Sequence, residues 1–493
     1  MSRASSASAR AVSRVSTAPA RAVSRAGSES ARAVSRASSA SAQAVRRASQ
    51  APADPPPRIA VIGAGWAGLA AAVQAVQHGA DVSLFELAAT PGGRARQVQT
   101  AAGVFDNGQH ILIGAYRVTL DLMRCVGADP DQLLLRSPLA LVDPAGQGLR
   151  LPVGAPVPAF VRAVLTARQW PLAQRLALLG TAGGWGLRRF RCAPALSVAQ
   201  LCSGLPERVQ CELIEPLCLA ALNTPMHQAS AEVFLRVLKD ALFGGAGSAD
   251  LLLPRVPLSE LLPEPAWRWL QAQGAACPAG HRVRQIAAAE DGHGWRVDGQ
   301  HFDGVVLACP LTEAARLSAD LAAAWAAQAA AVRHEPIVTA WLRDDQLHNA
   351  LPMLALKSSP GRPAQFAFNL GRLHGNAASK GLWTLVASSA DAALADGLAV
   401  CGQAMLAQAR QAFPGAFSGP DEQVLVHLAA ERRATFACTP GLTRPPQVIA
   451  PGLVAAGDAI AGPYPATLEG AVRSGLAAAD HLCQASKHRH RQG

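Results

Sequence analysis

The sequence predicts an α/β protein: a Rossmann-type dinucleotide-binding domain interrupted by a mixed α+β domain. Two segments carry that prediction. One is Arg58–Glu86, RIAVIGAGWAGLAAAVQAVQHGADVSLFE, and the other is Gly452–Asp480, GLVAAGDAIAGPYPATLEGAVRSGLAAAD. Gly68 and Asp458 stand 390 residues apart, yet each segment reads as half of one cofactor site. The chain between them must leave the nucleotide-binding domain and return to it.

Taken in order, Ile59–Ile62 is a short apolar run of the kind that forms a buried parallel strand. Gly63, Gly65 and Gly68 follow with G-x-G-x-x-G spacing. The first permits a tight turn, the second lets backbone approach a pyrophosphate, and the third lets a helix pack on the strand. Leu69–His78 is alanine-rich and predicted helical, with its positive end toward the phosphates. Gly79 ends it, and Val82–Phe85 is the next strand. Glu86 closes that strand, 18 residues past Gly68, where a carboxylate accepts from a ribose 2′-hydroxyl and repels a 2′-phosphate. In Pro91–Arg96 the pair Gly92-Gly93 precedes Arg94 and Arg96, which can counter phosphate charge.

At the other end, Val448–Ala456 is apolar and leads into Gly457-Asp458. Pro465–Gly470 then opens a helix expected to run to about Leu482, with Thr467 as its cap and Leu468 at its start. Between the halves, Val283–Ile286, Trp295–Val297 and Val305–Ala308 read as strands.

Composition narrows the class. The ten cysteines show no metal-ligand spacing and fit a reducing compartment; no metal site is expected. No apolar run reaches the length of a membrane span and no secretory segment follows the N-terminus, so a cytoplasmic location is expected. The net charge of +11 is concentrated: residues 1–50 hold nine arginines and one acid, +8 in all, leaving +3 for the rest. Nucleic-acid binding by the body is therefore not implied. The motif ARAVSR recurs from Ala9, Ala20 and Ala31, with AQAVRR from Ala42, a period of 11 residues. This stretch reads as a disordered tail, as translation from an upstream start, or as a basic segment for anionic lipid. Phe160–Arg191 mixes leucines, Trp170, Trp185 and arginines without an acid. It reads either as a membrane-touching helix pair or as a core hairpin with a basic face.

The PGGRAR loop resembles the GGR motif of the flavin amine oxidase and phytoene desaturase superfamily, which implies FAD as cofactor. That resemblance assigns Asp458 to the ribityl and pyrophosphate region. It sets the backbone at Thr467 and Leu468 against the pyrimidine edge of the flavin, and has the Val283 backbone hold adenine. Two longer strings are more specific. Phe105–Tyr116, FDNGQHILIGAY, and Glu215–Pro225, EPLCLAALNTP, followed by Ala229-Ser230, resemble the hydroxysqualene dehydroxylases, also described as squalene-associated FAD-dependent desaturases.

The resemblance implies reductive removal of a hydroxyl from a C30 isoprenoid within hopanoid synthesis, in a long apolar tunnel. Peripheral contact with the inner face of the membrane, and docking with the preceding synthase, are further expectations. The chemistry needs an acid to help water leave. His110, Asp106 and Glu215 are the candidates, with Glu469 behind them; Asp106 can instead hold a turn, and Glu469 its own helix start. A carotenoid-type desaturase, an amine oxidase and a flavin-free pathway scaffold remain as alternatives.

The expected division is a tail and proline linker over 1–57 and the FAD domain over 58–150, 271–310 and 448–486. A mainly helical substrate or membrane-facing region covers 151–270, a substrate domain covers 311–447, and a basic tail covers 487–493.

Overall fold

The computed structural model describes residues 55–347 and 349–492, with side chains as far as 485. Residues 1–54, with the 11-residue repeat, lie outside the described residues, as do the side chains of the basic C-terminal tail. The elements used below are β1 (Arg58–Ile62), α1 (Trp66–Gln77), β2 (Asp81–Phe85), β3 (Gln97–Thr100), β4 (Gly103–Asp106), α2 (Arg117–Cys125), α3 (Pro156–Thr166), α4 (Leu172–Leu187), α5 (Glu215–Leu222) and α6 (Ala231–Phe243). Then come β5 (Gly304–Leu307), β6 (His334–Arg343), β7 (Met353–Ala355), β8 (Phe366–Asn369), β9 (Leu382–Ala387), α7 (Leu398–Ala412), β10 (Leu425–Phe436), β11 (Val448–Ala450), β12 (Leu453–Ala455) and α8 (Leu468–Gln492).

The nucleotide-binding sheet has the strand order β11-β12-β5-β1-β2. Strands β12, β5, β1 and β2 are mutually parallel, with Ile59 opposite both Gly304 and Val82. That explains the continuous apolar runs: β5 is buried throughout and β1 everywhere but Arg58, because both faces are covered. The run Val448–Ala456 is not one strand. It folds as an antiparallel hairpin, β11 against β12, because Pro451-Gly452 makes the turn and Gly452 has φ +78°.

The two chain ends meet in the helix layer. On α1, Ala67, Leu69, Ala70, Ala71 and Val73 are buried in a core shared with Val472, Ala478, Ala479 and Leu482 of α8. A Cβ on Gly475 would run into the Ala67 carbonyl, so small residues on both helices set the close approach. Burying Leu69 and Val73 contributes roughly 1.5–3 kcal/mol each. Asp480 accepts from Gln74 Nε2 and meets His78 Nε2, each at 2.7 Å. The helix α8 runs on past Leu482, where it was expected to stop, to Gln492.

The second sheet is antiparallel throughout, with the order β7-β8-β9-β6-β10. Its strands alternate. Val338, Ala340 and Leu342 of β6 face a core with Met405, Leu406 and Ala409 of α7, while Trp341 faces a core with Phe368, Trp170, Trp185 and Phe234.

Two boundaries differ from expectation. Leu258, Leu261, Leu262, Ala266 and Leu270 pack in the α1 core, so the helices after Pro257 belong with the nucleotide-binding domain. Likewise Ala314, Leu317, Trp325 and Ala329 pack against Ile62, Phe85 and Val305, so that domain extends past 310, and the antiparallel sheet begins at His334. Periodicity finds such helices but cannot say which core they join.

Candidate flavin site

The glycine-rich turn is shaped by close approach. Gly63 adopts φ +102° and its N–H donates to the Phe85 carbonyl at 2.8 Å; a Cβ there would lie 2.7 Å from the Ala308 oxygen. A Cβ on Gly68 would collide with the Gly63 carbonyl. Gly65 differs, since its Cβ would find only the Gly93 Cα, at 3.8 Å. The first turn of α1 begins at Trp66, three residues before the expected start, with no acid and no side-chain cap. Its N–H groups and the helix dipole are thus free to serve an anion beside Gly65. The GGR loop lies directly on this turn: Gly92 N–H donates to the Ala64 carbonyl at 2.8 Å, and Gly65 bridges Gly92.

Glu86 is buried and accepts from Ala64 N at 2.7 Å and Ala88 N at 2.8 Å, one through each oxygen. It thus holds the turn and keeps further lone pairs for a ribose hydroxyl. Val283 is buried, and its carbonyl accepts from Arg316 Nη2 at 3.0 Å.

The distant half of the site closes onto the first. Asp458 Oδ1 meets Arg94 Nη2 at 2.5 Å, and Arg94 Nη1 donates to the Ala434 carbonyl at 2.6 Å. The Asp458 charge raises the Arg94 pKa further, despite burial, so this guanidinium is permanently charged. Gly457 N–H donates to Ser474 Oγ at 3.0 Å, and a Cβ on Gly457 would meet nothing within 4 Å. Thr467 Oγ1 accepts from Gly470 N at 3.1 Å and caps α8 ahead of Leu468.

Two further residues have no motif to announce them. Arg444 stacks on the Phe436 ring at 4.8 Å and donates to the Asp458 carbonyl at 3.0 Å and to the Gly462 carbonyl, ordering the turn between them. Arg433 reaches Thr312 Oγ1 at 3.0 Å. The run Glu431-Arg432-Arg433 inside a strand was the available signal.

The candidate acids separate. His110 keeps its Nδ1 buried without a protein partner, and its pKa falls to about 4 through burial and then the Arg94 charge. It is therefore a neutral imidazole near pH 7. Asp106 accepts from Leu258 N at 3.0 Å through Oδ1, and burial lifts its pKa to about 7. Glu215 is also raised by burial, but it accepts from Met226 N at 3.0 Å within its own segment. Glu469 does not bond its own helix start. Fully buried, it accepts from Thr119 N at 2.9 Å and Thr119 Oγ1 at 2.7 Å, holding the first turn of α2, and pairs with Arg473 at 2.8 Å.

The two specific strings divide in the same way. In FDNGQH, Asn107 Nδ2 donates to the Arg94 carbonyl at 2.9 Å and toward Glu431 Oε2 at 3.3 Å, so this string braces the GGR loop. In LNTP, Asn223 sits at φ +48°, donates through Nδ2 to Thr435 Oγ1 at 2.9 Å and to the Glu335 carbonyl at 3.3 Å, and accepts from Ser389 N at 2.6 Å. Thr224 Oγ1 donates to the Leu222 carbonyl at 3.0 Å and accepts from Cys438 N at 3.1 Å. These residues knot the end of α5 to β6 and β10.

The donor set fits a flavin dinucleotide. It comprises room for a ligand at Gly65, an uncapped helix start, a buried carboxylate at the end of the second strand, and a buried imidazole nitrogen without a protein partner. Residues 66–483 match the family described as flavin containing amine oxidoreductase. A hydroxysqualene dehydroxylase of Sinorhizobium fredii is 29% identical over 458 residues, covering 86% of this chain and 98% of that protein. One from Rhodopseudomonas palustris is 30% identical over 452 residues, covering 87% and 98%. A zeta-carotene desaturase of Zea mays is 34% identical over 113 residues only, 21% of this chain and 20% of that one.

Among solved structures, a putative protoporphyrinogen oxidase from Exiguobacterium has a TM-score of 0.61 at 16% identity, covering 87% of this chain and 99% of that one. Cyclohexylamine oxidase from Brevibacterium oxydans has a TM-score of 0.58 at 19% identity, covering 88% and 100%. At those identities the likeness speaks to the α/β fold alone. The chain belongs to the flavin containing amine oxidoreductases, on the branch that holds the hydroxysqualene dehydroxylases, and its cofactor is FAD.

Proposed function

We propose that this oxidoreductase removes the hydroxyl of hydroxysqualene reductively, giving squalene for triterpenoid (hopanoid) synthesis. The observation that carries this reading is similarity along 98% of the length of two dehydroxylases, against a fifth of one zeta-carotene desaturase and half of another. The C–O bond breaks, a proton joins the departing hydroxyl as water, and a hydride completes the carbon. Reduced FAD, when bound, supplies that hydride. Gly63, Gly65, Gly68, Glu86, Gly92, Gly93, Arg94, Val283, Gly457, Asp458, Thr467 and Leu468 hold and orient it. Asp106 is the acid best equipped for the proton, because Oδ2 can carry it near neutral pH while Oδ1 is anchored by Leu258. The neutral His110 contributes a hydrogen bond rather than a charge. An allylic cation requires a site closed to water.

An amine substrate is disfavoured by the want of an aromatic cage. Tyr464, one of only two tyrosines in the chain, lies between the guanidinium groups of Arg236 and Arg473, 4.8 Å and 5.3 Å from its ring. A site at the inner face of the cytoplasmic membrane, within reach of the preceding synthase, suits such a hydrocarbon. Anaerobic incubation of the reduced enzyme with hydroxysqualene is expected to yield squalene. No squalene, or polyene formed from a saturated precursor by the oxidised enzyme, would overturn the reading.

A further inference from the structure

The hairpin of α3 and α4 is apolar on both sides. Inward, Ala159, Ala163, Val164, Trp170, Leu178 and Trp185 enter the core that also holds Trp341 and Phe368. Outward, Val161 and Leu165 on α3, and Leu172 and Leu176 on α4, are exposed. Each pair is four residues apart and so shares one helix face. At the far end of α4, Leu187 is 89% exposed, and Phe190 meets the exposed ring of Phe243 edge-on at 5.2 Å. Just ahead of α3, Val153 is 90% exposed. A surface helix normally turns charge outward, so this face needs a partner.

Charge identifies that partner. Arg162, Arg168, Arg188, Arg189 and Arg191 are all exposed, and among the described residues none forms an ion pair. No acid occurs anywhere in Phe160–Arg191. Two nearby acids are engaged elsewhere, Glu212 with Arg208 at 2.8 Å and the Trp170 indole at 2.8 Å, and Asp240 with Arg236 at 3.0 Å; Glu232, close enough to act on Cys192, is one exposed carboxylate beside five arginines. A second copy of the chain docking through the same face would set these arginines against one another. An anionic lipid surface satisfies both features, taking the leucines into the acyl boundary and the guanidinium groups among the headgroups. No helix of the described residues is long and apolar enough to cross a membrane, so the contact is one of lying on the surface.

We propose that the α3–α4 hairpin, extended by Val153 and Phe243, is the surface through which the protein rests on an anionic bilayer. This sharpens the membrane reading above and rests on it only for location. Squalene formation in detergent, which needs no bilayer, tests the reaction separately.

The test uses the full chain loaded with FAD and vesicles of phosphatidylcholine with or without phosphatidylglycerol. The parent is expected to sediment with the anionic vesicles and to release in high salt. The variant Val161→Glu, Leu165→Glu, Leu172→Glu, Leu176→Glu, with an unchanged flavin spectrum, is expected to partition roughly tenfold less or weaker. Hydrogen exchange of the parent on anionic vesicles should slow within residues 153–191. If the glutamates prevent folding, exchange on the parent decides alone. Unchanged partition of the folded variant would overturn the proposal. So would protection confined to other segments, including residues 1–54, or a loss of self-association with vesicle binding intact.

Discussion

The glycine-rich turn at Gly63–Gly68 and the knot at Asn223 both use backbone that most side chains avoid, yet they do different work. At the turn the glycines make room, some for neighbouring protein and one for a ligand. At the knot a side chain occupies the left-handed region at φ +48° and offsets that strain with three hydrogen bonds to β6, β10 and Ser389. The difference separates two kinds of signature. Room at a glycine on an uncapped helix start, as at Gly65, marks where a ligand can approach. A polar residue with every bond made inside the protein marks architecture, however specific its string is to a group of relatives.

The largest effect should come from within the turn. Gly68→Val drives a side chain into the Gly63 carbonyl and is expected to abolish FAD retention and lower stability by about 3 kcal/mol or more. Gly65→Ala meets only the Gly93 Cα at 3.8 Å. It should leave the melting temperature of the apoprotein unchanged while weakening FAD binding roughly tenfold, since a methyl group enters space meant for phosphate. Equal loss of stability in both variants would break the distinction.

Next is Asn223→Ala, expected to destabilise by about 2–4 kcal/mol with the flavin spectrum of the folded protein unaltered. A spectral change as large as the stability change would move Asn223 to the cofactor wall.

The smallest effects are pH-dependent and concern the two acids in the loop between these regions. The His110 pKa is depressed to about 4, so its contribution is complete above the unfolded value and is lost as pH falls through about 4. The Asp106 pKa is raised to about 7, so its contribution is complete below the unfolded value near 4 and is lost as pH rises through about 7. Thermal melts should show His110→Gln flattening the acid limb. Asp106→Asn, which keeps an acceptor for Leu258, should raise the melting temperature more at pH 8 than at pH 5, and least below pH 4. Parallel curves for parent and variant would refute either assignment.

What was legible in the sequence follows from range. Gly63, Gly65, Gly68 and Glu86 act within 24 residues, so their spacing states their geometry. Asp458 was reached through the resemblance of its Gly-Asp pair, since its partner Arg94 lies 364 residues away. Arg444 and Ser474 were not, since each acts on the Gly457–Gly462 turn through a contact set by tertiary packing. Asn223 and Glu335 lie 112 residues apart, and nothing local links the LNTP string to β6. The hairpin of β11 and β12 was within reach, because Pro451-Gly452 is a turn dipeptide inside an apolar run. There hydrophobicity outweighed the punctuation.

The seam between α1 and α8 carries a consequence for biogenesis. Ala67 and Ala70 leave the ribosome early, whereas Gly475, which covers them, comes some 400 residues later, a wait of roughly 20–80 s at about 5–20 residues per second. Through that interval β1 and α1 lack both the strand pair and the helix that complete their layer. The apolar face of α1 is uncovered until α8 is made. The flavin can be captured only after the last turns of the chain have been made.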